Sequence, residues 1–225
     1  QDAIDMMKEY AIWDEAPASI REHLLEGLAH PEMETPKKLT NTRAYIHSVA
    51  DPRSTCVAAA NKAKELGYTP YVLSTALEGD ACNLGIFFSG IANEVTKTGR
   101  PFAAPCAIIS AGETTVTIHG PCGAGGPNQE TALGYPLKLH AQSPTVCLSM
   151  DSDGTDGPSD IAGGISDNQT FERACELGLN LWEMLGRHDS STALLQLNDA
   201  LITGHTGTNI MNFRVVVIEK KENES

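Results

Sequence analysis

Four aspartates fall within ten residues of this sequence: Asp151, Asp153, Asp156 and Asp160, in the run Ser149-Met-Asp-Ser-Asp-Gly-Thr-Asp-Gly-Pro-Ser-Asp-Ile-Ala-Gly-Gly164. The run follows Thr145–Ser149, which reads as an apolar strand. Carboxylates at the C-terminal end of a strand in an open α/β sheet face the crevice where such sheets bind ligands. Crowded negative groups repel unless a cation or hydrogen-bond donors offset them. A calcium loop of the EF-hand type is excluded, because counting from Asp151 puts Ala162 where a bidentate Glu is needed. Magnesium, held by one or two carboxylates with substrate phosphates completing its shell, fits better, and Asp151 and Asp153 are the candidate ligands. The same residues also suit an Asp/Gly turn whose side chains accept backbone N–H groups.

Two further loops carry polar chemistry. In Gly120-Pro-Cys-Gly-Ala-Gly-Gly-Pro-Asn-Gln-Glu130, a glycine-rich stretch leads into a helix near Asn128. Exposed backbone N–H groups and a helix N-terminus together suit a phosphate or another anion, with Gly123, Gly125, Gly126 and Asn128 as candidates. No Gly-Lys-Ser/Thr follows and the G-x-G-x-x-G spacing is absent, so this is neither a P-loop nor a dinucleotide loop. A tight turn with Asn128 as helix cap is the alternative. The third loop, Thr203-Gly-His-Thr-Gly-Thr-Asn-Ile210, offers hydroxyls and glycines ahead of the last strand. His205 alone is weak evidence for catalysis. His188-Asp189-Ser190 contains the residue types of a triad, but consecutive residues cannot form one, and Asp189 or Ser190 better serves as a helix cap.

The elements that must position these loops alternate. Helical spacing marks the first residues (Ile4, Met7, Ala11, Ile12) and a segment after Pro17 with Ile20, Leu24, Leu25 and Leu28 on one face. The breaker-rich run 30–38 reads as a linker. Strands are expected at 44–49, 70–74, 106–110, 114–118, 145–149 and 213–218. Helices are expected at 54–66, 81–97, 128–139, 169–177, 180–185 and 191–197. This order predicts an α/β fold with a mixed, largely parallel sheet and helices on both faces. Only three residues join 106–110 to 114–118, too few for a parallel crossover, so an antiparallel pair is expected there.

The chain has 225 residues, enough for an unstapled core, and a formal net charge of −13. That charge repels phosphate backbones, so no nucleic-acid partner is expected. No apolar run approaches a bilayer-spanning length and no signal-like segment stands at the start, so no membrane partner is expected either. Six cysteines without a CxxC pair read as reduced thiols of a cytoplasmic protein.

Taken in order, Gly112-Glu-Thr-Thr-Val116, Gly125-Gly-Pro-Asn-Gln-Glu130, Asp153-Gly-Thr-Asp-Gly-Pro-Ser-Asp-Ile-Ala-Gly163 and Thr203-Gly-His-Thr-Gly-Thr-Asn209 resemble the type-II glycerate kinases, whose C-terminal domain is called MOFRL. Gly67-Tyr68, Leu77-Glu-Gly-Asp-Ala81 and Asp189-Ser190 add to the resemblance, which runs from about Ala18 to Ile218. It implies the C-terminal half of a two-domain protein with its active site between the domains. Residues 1–37 would be helices and linker belonging to a missing N-terminal domain, which is the expected partner and carries the family's catalytic Lys. Residues 38–225 would be the MOFRL-type domain, with 213–218 free to return to the other domain. The implied reaction is ATP-dependent phosphorylation of glycerate, with ATP and Mg²⁺ as cofactors. The implied catalytic residues are Glu113, Asp153 and Asp156; Gly123, Gly125, Gly126, Asn128, Thr206, Thr208 and Asn209 would bind substrate or phosphate. A homodimer is compatible with this reading. Some members carry the name hydroxypyruvate reductase, so an NAD(P)H-linked reductase is the alternative activity, and a catalytically impaired anion-binding homologue is another. Three positions depart from the family pattern: Pro127 stands where an Arg is usual, His205 where a Pro is usual, and Met211-Asn212 where Asn-Asp is usual.

Overall fold

Asp51 starts the first helix of the larger part of the chain by accepting the Ser54 N–H at 2.6 Å, while Ser54 Oγ accepts the Asp51 N–H in return. This reciprocal cap, with Pro52 at the first helical position, fixes where α3 (Pro52–Glu65) begins. Asp80 caps α4 (Ala81–Thr98) from one side only, accepting the Asn83 N–H at 2.9 Å, and Gly99, in the left-handed region, ends it. In the computed structural model, residues 1–35, 37–38 and 42–221 are described. Contacts divide the chain into two compact units, Gln1–His47 and Ser48–Ser225.

The first unit holds α1 (Asp2–Glu9), α2 (Ala18–Ala29) and a short 3₁₀ turn, Pro31–Met33. Ile4 is buried, whereas Ile20, Leu25 and Leu28 on α2 are exposed. The strand expected at 44–49 does not form. Tyr45, Ile46 and Val49 are almost wholly exposed, because β-branched residues make a strand only where a partner strand satisfies the backbone.

The second unit is a six-stranded sheet of β1 (Thr69–Ser74), β2 (Cys106–Gly112), β3 (Thr145–Asp151), β4 (Gly163–Asp167), β5 (Ala200–Leu201) and β6 (Asn212–Ile218), in the order β1-β2-β6-β3-β4-β5. Its remaining helices are α5 (Pro127–Gly134), α6 (Thr170–Glu176), α7 (Leu181–Gly186) and α8 (Ser190–Leu197). The expected α/β class, mixed sheet and helices on both faces are all found. Phe88, Ala92 and Val95 of α4 pack on Cys106, Ile108, Cys147, Val216 and Ile218, and α3 places Cys56, Ala59, Ala60 and Ala63 against Ala107, Ile109, Ala111 and Val215 on the other face. A third cluster joins Leu133 of α5 to α6, α7 and α8.

The sheet is not largely parallel. Among the described strands only β1 and β2 pair in parallel; every other pair is antiparallel. β2 and β3 do point the same way, as βαβ alternation implies, but β6 lies between them and opposes both. The last strand thus lies in the middle of the sheet, hydrogen-bonded to β2 and β3. Nor is 114–118 a strand. Gly112, at φ +134°, turns the chain away, and only Thr115 makes an isolated bridge, to Asp80. β4 and the two-residue β5 were not expected: Gly163-Gly-Ile-Ser-Asp lacks apolar alternation and its glycines weaken strand propensity. Among the described residues no helix is long and apolar enough to cross a membrane.

Candidate functional site

Gly112, Asn212 and Asp151 stand side by side at one edge of the sheet, since Asn212 is in register with both neighbours. From this edge leave the Gly112–Gly126 segment and the Asp151–Ala162 loop, and into it returns the Thr203–Asn209 loop. The acidic loop lies between the other two. Thr206 donates its N–H to the Asp153 carbonyl (3.0 Å) and its hydroxyl to the Ser152 carbonyl (2.6 Å). Asn209 Nδ2 donates to Asp153 Oδ2 at 3.0 Å. A side chain at Gly154, at φ +95°, would run into the Gly204 carbonyl, and one at Gly157 into the Gly125 carbonyl. The close approach of all three loops therefore depends on glycine.

Within the acidic loop the four aspartates differ. Asp156 is buried, and its carboxylate accepts the N–H groups of Asn128 (3.1 Å) and Gln129 (2.9 Å) and the Asn128 side chain (3.0 Å). It occupies the N-terminus of α5, where an anion is favoured. Burial nevertheless pushes its carboxyl up from the ordinary Asp range, against these hydrogen bonds. Asp153 is held below that range, first by the Thr155 N–H at 2.9 Å. Asp151 accepts the Asp153 N–H at 3.1 Å; burial raises its carboxyl, as do the charges of Asp153, Glu113 and Asp156. Glu113 is exposed on the turn after β2, close enough for its charge to act on Asp151. Asp160 borders an open cavity of about 340 Å³ with Thr155, Gly204 and His205. Among the described residues no group of three or more His, Cys, Asp or Glu stands together as a metal site.

Asn128 faces inward and is fully buried, accepting from Ser149 Oγ at 2.7 Å. The glycines of the loop before it serve close packing. Side chains at Gly123, Gly125 and Gly126 would meet Asp189, Ser190 and Asp156 respectively. The Gly123 N–H already donates to the Arg187 carbonyl (2.8 Å), and the Ala124 carbonyl accepts the Ser191 N–H (2.9 Å). Thr208 is exposed and is tied to Thr206 through its backbone. The structure thus gathers Glu113, Asp151, Asp153, Thr206, Thr208 and Asn209 at one edge, while Asp156 and Asn128 lie beneath it.

Residues 106–212 match the MOFRL family. The matched segment makes up just under half of this chain. It contains all three loops and every sheet residue at the edge except Arg214. Over 222 residues, covering 98% of this chain and 50% of the relative, the chain is 38% identical to a glycerate 2-kinase of Pyrococcus horikoshii. It is 35% identical to a D-glycerate 2-kinase of Thermotoga maritima, across 97% of this chain and 49% of that one. The crystal structure of a glycerate kinase of Thermotoga maritima superposes with a TM-score of 0.77 at 35% identity, over 96% of this chain and 50% of that chain. The resemblance to type-II glycerate kinases therefore holds in sequence and fold. The chain spans about half the length of the relatives it matches.

Two residues that hold the three loops escaped the sequence reading. Arg214 is fully buried in β6, opposite Ser110 and Ser149, and donates to the Gly112 carbonyl (3.3 Å) and Thr114 Oγ1 (2.6 Å). Its Nε has no partner among the described residues. Burial pulls its guanidinium down to about 10, so it is still charged at neutral pH. With its amide oriented to satisfy both neighbours, Asn212 links Arg214 to Asp151 Oδ2 (2.9 Å). The available signal was phase: Arg214 alternates with Val216 and Ile218, so the strand pattern itself places it on the buried face. The second residue is Glu130. It is buried, its carboxyl pushed up by that burial, and it bonds His188 Nδ1 at 2.8 Å. Consecutive numbering hid this pair, which spans 58 residues.

Proposed function

We propose that this segment forms one side of the active site of a glycerate kinase, a phosphotransferase that moves a phosphoryl group from ATP to glycerate. The observation that supports the reading best is the meeting of three loops, bearing Glu113, Asp151, Asp153, Thr206, Thr208 and Asn209, at one sheet edge. The residues fit a magnesium ion in one respect. Asp151 is a partly buried carboxylate crowded by Asp153, Glu113 and Asp156, and one or two hard oxygen donors plus phosphates are what Mg²⁺ takes. When bound, the ion would neutralise charge on the phosphates. The N-terminus of α5 fits a nucleotide phosphate less well, because Asp156 already fills it.

In this reading each residue has a positional task. Asp151 and Asp153 hold the cation. The hydroxyl of Thr208 and the amide of Asn209 face the anionic oxygens of glycerate or phosphate, and Thr206, whose hydroxyl is donated to the Ser152 carbonyl, positions them. Asp156 and Asn128 act through structure: they lock α5 to the acidic loop. Glu113, on a turn pinned by Arg214, orients the substrate. The rest of the site is supplied by a segment equivalent to the other half of the relatives, so residues 38–225 are read as the MOFRL-type half. Phosphoryl transfer requires positioning and charge compensation, which this arrangement can provide without a covalent intermediate.

The test is an assay of the polypeptide carrying this segment with D-glycerate, ATP and Mg²⁺. Phosphoglycerate formation that falls by about 10²-fold or more in Asp153→Asn supports the reading, since loss of one preorganised electrostatic contact has that size. Turnover of hydroxypyruvate with NADH, and none of glycerate with ATP, would replace it with the reductase reading.

A further inference from the structure

Beside the glycine loop lies a cavity of about 250 Å³, walled by Val116, Ile118, Pro127 and Pro158, with Glu130 and His188 as its polar floor. We propose that His188, held by Glu130, is the proton acceptor for a hydroxyl of a small hydroxylated substrate seated in this cavity. The proposal rests on the kinase reading for the phosphoryl donor, a nucleoside triphosphate.

Three observations carry it. Glu130 is buried, and His188 is its only hydrogen-bonded side chain among the described residues, at 2.8 Å through Nδ1. With Glu130 ionised its carboxylate can only accept, which puts the hydrogen of a neutral ring on Nδ1 and leaves Nε2 its lone pair. This is how a buried acid sets the tautomer of a catalytic base. Second, His188 lines the cavity and its side chain is partly exposed, so the ring is within reach of a ligand seated there. The cavity's walls are mostly apolar, and a base shielded from water transfers protons without first shedding solvent. Third, His188 sits at φ +56°, a left-handed conformation uncommon for a residue with a side chain. The backbone is held there by the bonds of Arg187 and Ser191 to the glycine loop on either side. Strained residues held by over-determined surroundings concentrate at functional positions.

The substrate O–H bond breaks and its proton goes to His188 Nε2. The oxygen's electron pair forms the new O–P bond. The P–O bond to the nucleoside diphosphate breaks, and its electron pair leaves with the diphosphate. The imidazolium is stabilised by Glu130. The other charges nearby are Asp80 and Asp156, which act on Glu130, and Arg187, which is paired with Glu183 (3.5 Å) and Asp189 (3.7 Å).

Two measurements test this. In the ¹⁵N-labelled protein, the imidazole nitrogens of His188 are expected to show Nε2 unprotonated in the neutral ring, and the Nε2 signal to move when D-glycerate is added. A neutral ring with its proton on Nε2, or no response to glycerate in a protein that phosphorylates it, overturns the proposal. The variant is His188→Asn, since Asn tolerates positive φ; His188→Ala serves for rescue. In the glycerate assay kcat is expected to fall by roughly 10²-fold or more with KM little changed, and added imidazole to restore part of the His188→Ala activity. An unchanged kcat overturns the proposal. A wild-type protein that phosphorylates no glycerate overturns the kinase reading instead, and the nitrogen signals then judge His188 by themselves.

Discussion

Arg214 reaches out of the central strand and donates to Thr114 Oγ1 at 2.6 Å, one residue past Glu113 on the turn that follows β2. The same guanidinium holds the Gly112 carbonyl. A buried cation thus fixes the turn that carries an exposed candidate carboxylate. The turn's other anchors are Leu77 N–H to the Ala111 carbonyl and Thr115 N–H to the Gly79 carbonyl.

Arg214→Lys keeps the charge but loses the fork that reaches two acceptors at once. Hydrogen bonds from a charged donor are worth about 1.5–3 kcal/mol each, so one lost bond should speed amide exchange at Thr115 by about ten- to a hundredfold. Hydrogen-exchange mass spectrometry of peptides spanning 112–116 reads this. Unchanged exchange there would show that the turn stands without Arg214.

Asp156→Ala leaves the buried N–H groups of Asn128 and Gln129 without their acceptor. An unsatisfied buried donor costs about 1–3 kcal/mol, and urea unfolding followed by circular dichroism is expected to show a loss of at least that size. A loss below 0.5 kcal/mol on the scale of an ordinary surface substitution, about ±0.5 kcal/mol, would mean water replaces the carboxylate.

Asp151 gives a pH dependence of known sign. Its carboxyl is raised, first by burial. The stability linked to it is therefore fully present below the ordinary Asp range and drains away as pH climbs through the raised value. Asp151→Asn is expected to raise the melting temperature at pH 7 and to do so less at pH 3.5. Magnesium should stabilise the wild type at pH 7 and the Asn variant much less, because a ligand stabilises only through the state that binds it. Equal magnesium effects in both proteins would remove Asp151 from the cation site.

Gly154→Ala places a methyl against the Gly204 carbonyl in a backbone region where side chains are strained. The cost is expected to be about 1–3 kcal/mol, with the acidic loop and the 203–209 loop moving apart. Thermal unfolding gives the first and the amide signal of Thr206 the second, since Thr206 N–H bonds Asp153 across the gap. A variant as stable as wild type with Thr206 unshifted would show that the loops do not depend on this approach.

Much of the fold was legible in local signals. Asp51, Asp80 and Gly99 mark helix ends by cap chemistry, and β2, β3 and β6 are short apolar runs that only a sheet explains. What could not be read was pairing. β6 enters between β2 and β3 because of contacts far apart in the chain, from Asp151–Asn212 to Cys106–Ile218, which no local pattern encodes. Thr114–Ile118 has strand propensity but no free partner, since β6 already occupies that side of β2. At the site, Gly, Asp and Asn marked the three loops, but the same residue types also make turns and helix caps, which is the use that Asp156, Gly123, Gly125 and Gly126 have here. Arg214 and the Glu130–His188 pair were missed: one is a single charge inside an apolar run, the other two residues far apart in the chain.

The central claim is that the three-loop edge serves phosphoryl transfer to glycerate. The most direct measurement is ³¹P NMR of the polypeptide carrying this segment, incubated with D-glycerate, ATP and Mg²⁺, alongside Asp153→Asn and Thr206→Val. The expected result is a phosphoglycerate resonance that grows with time in the wild type and is strongly slowed in both variants. A resonance that grows equally fast in all three proteins would contradict the placement of the active site at this edge.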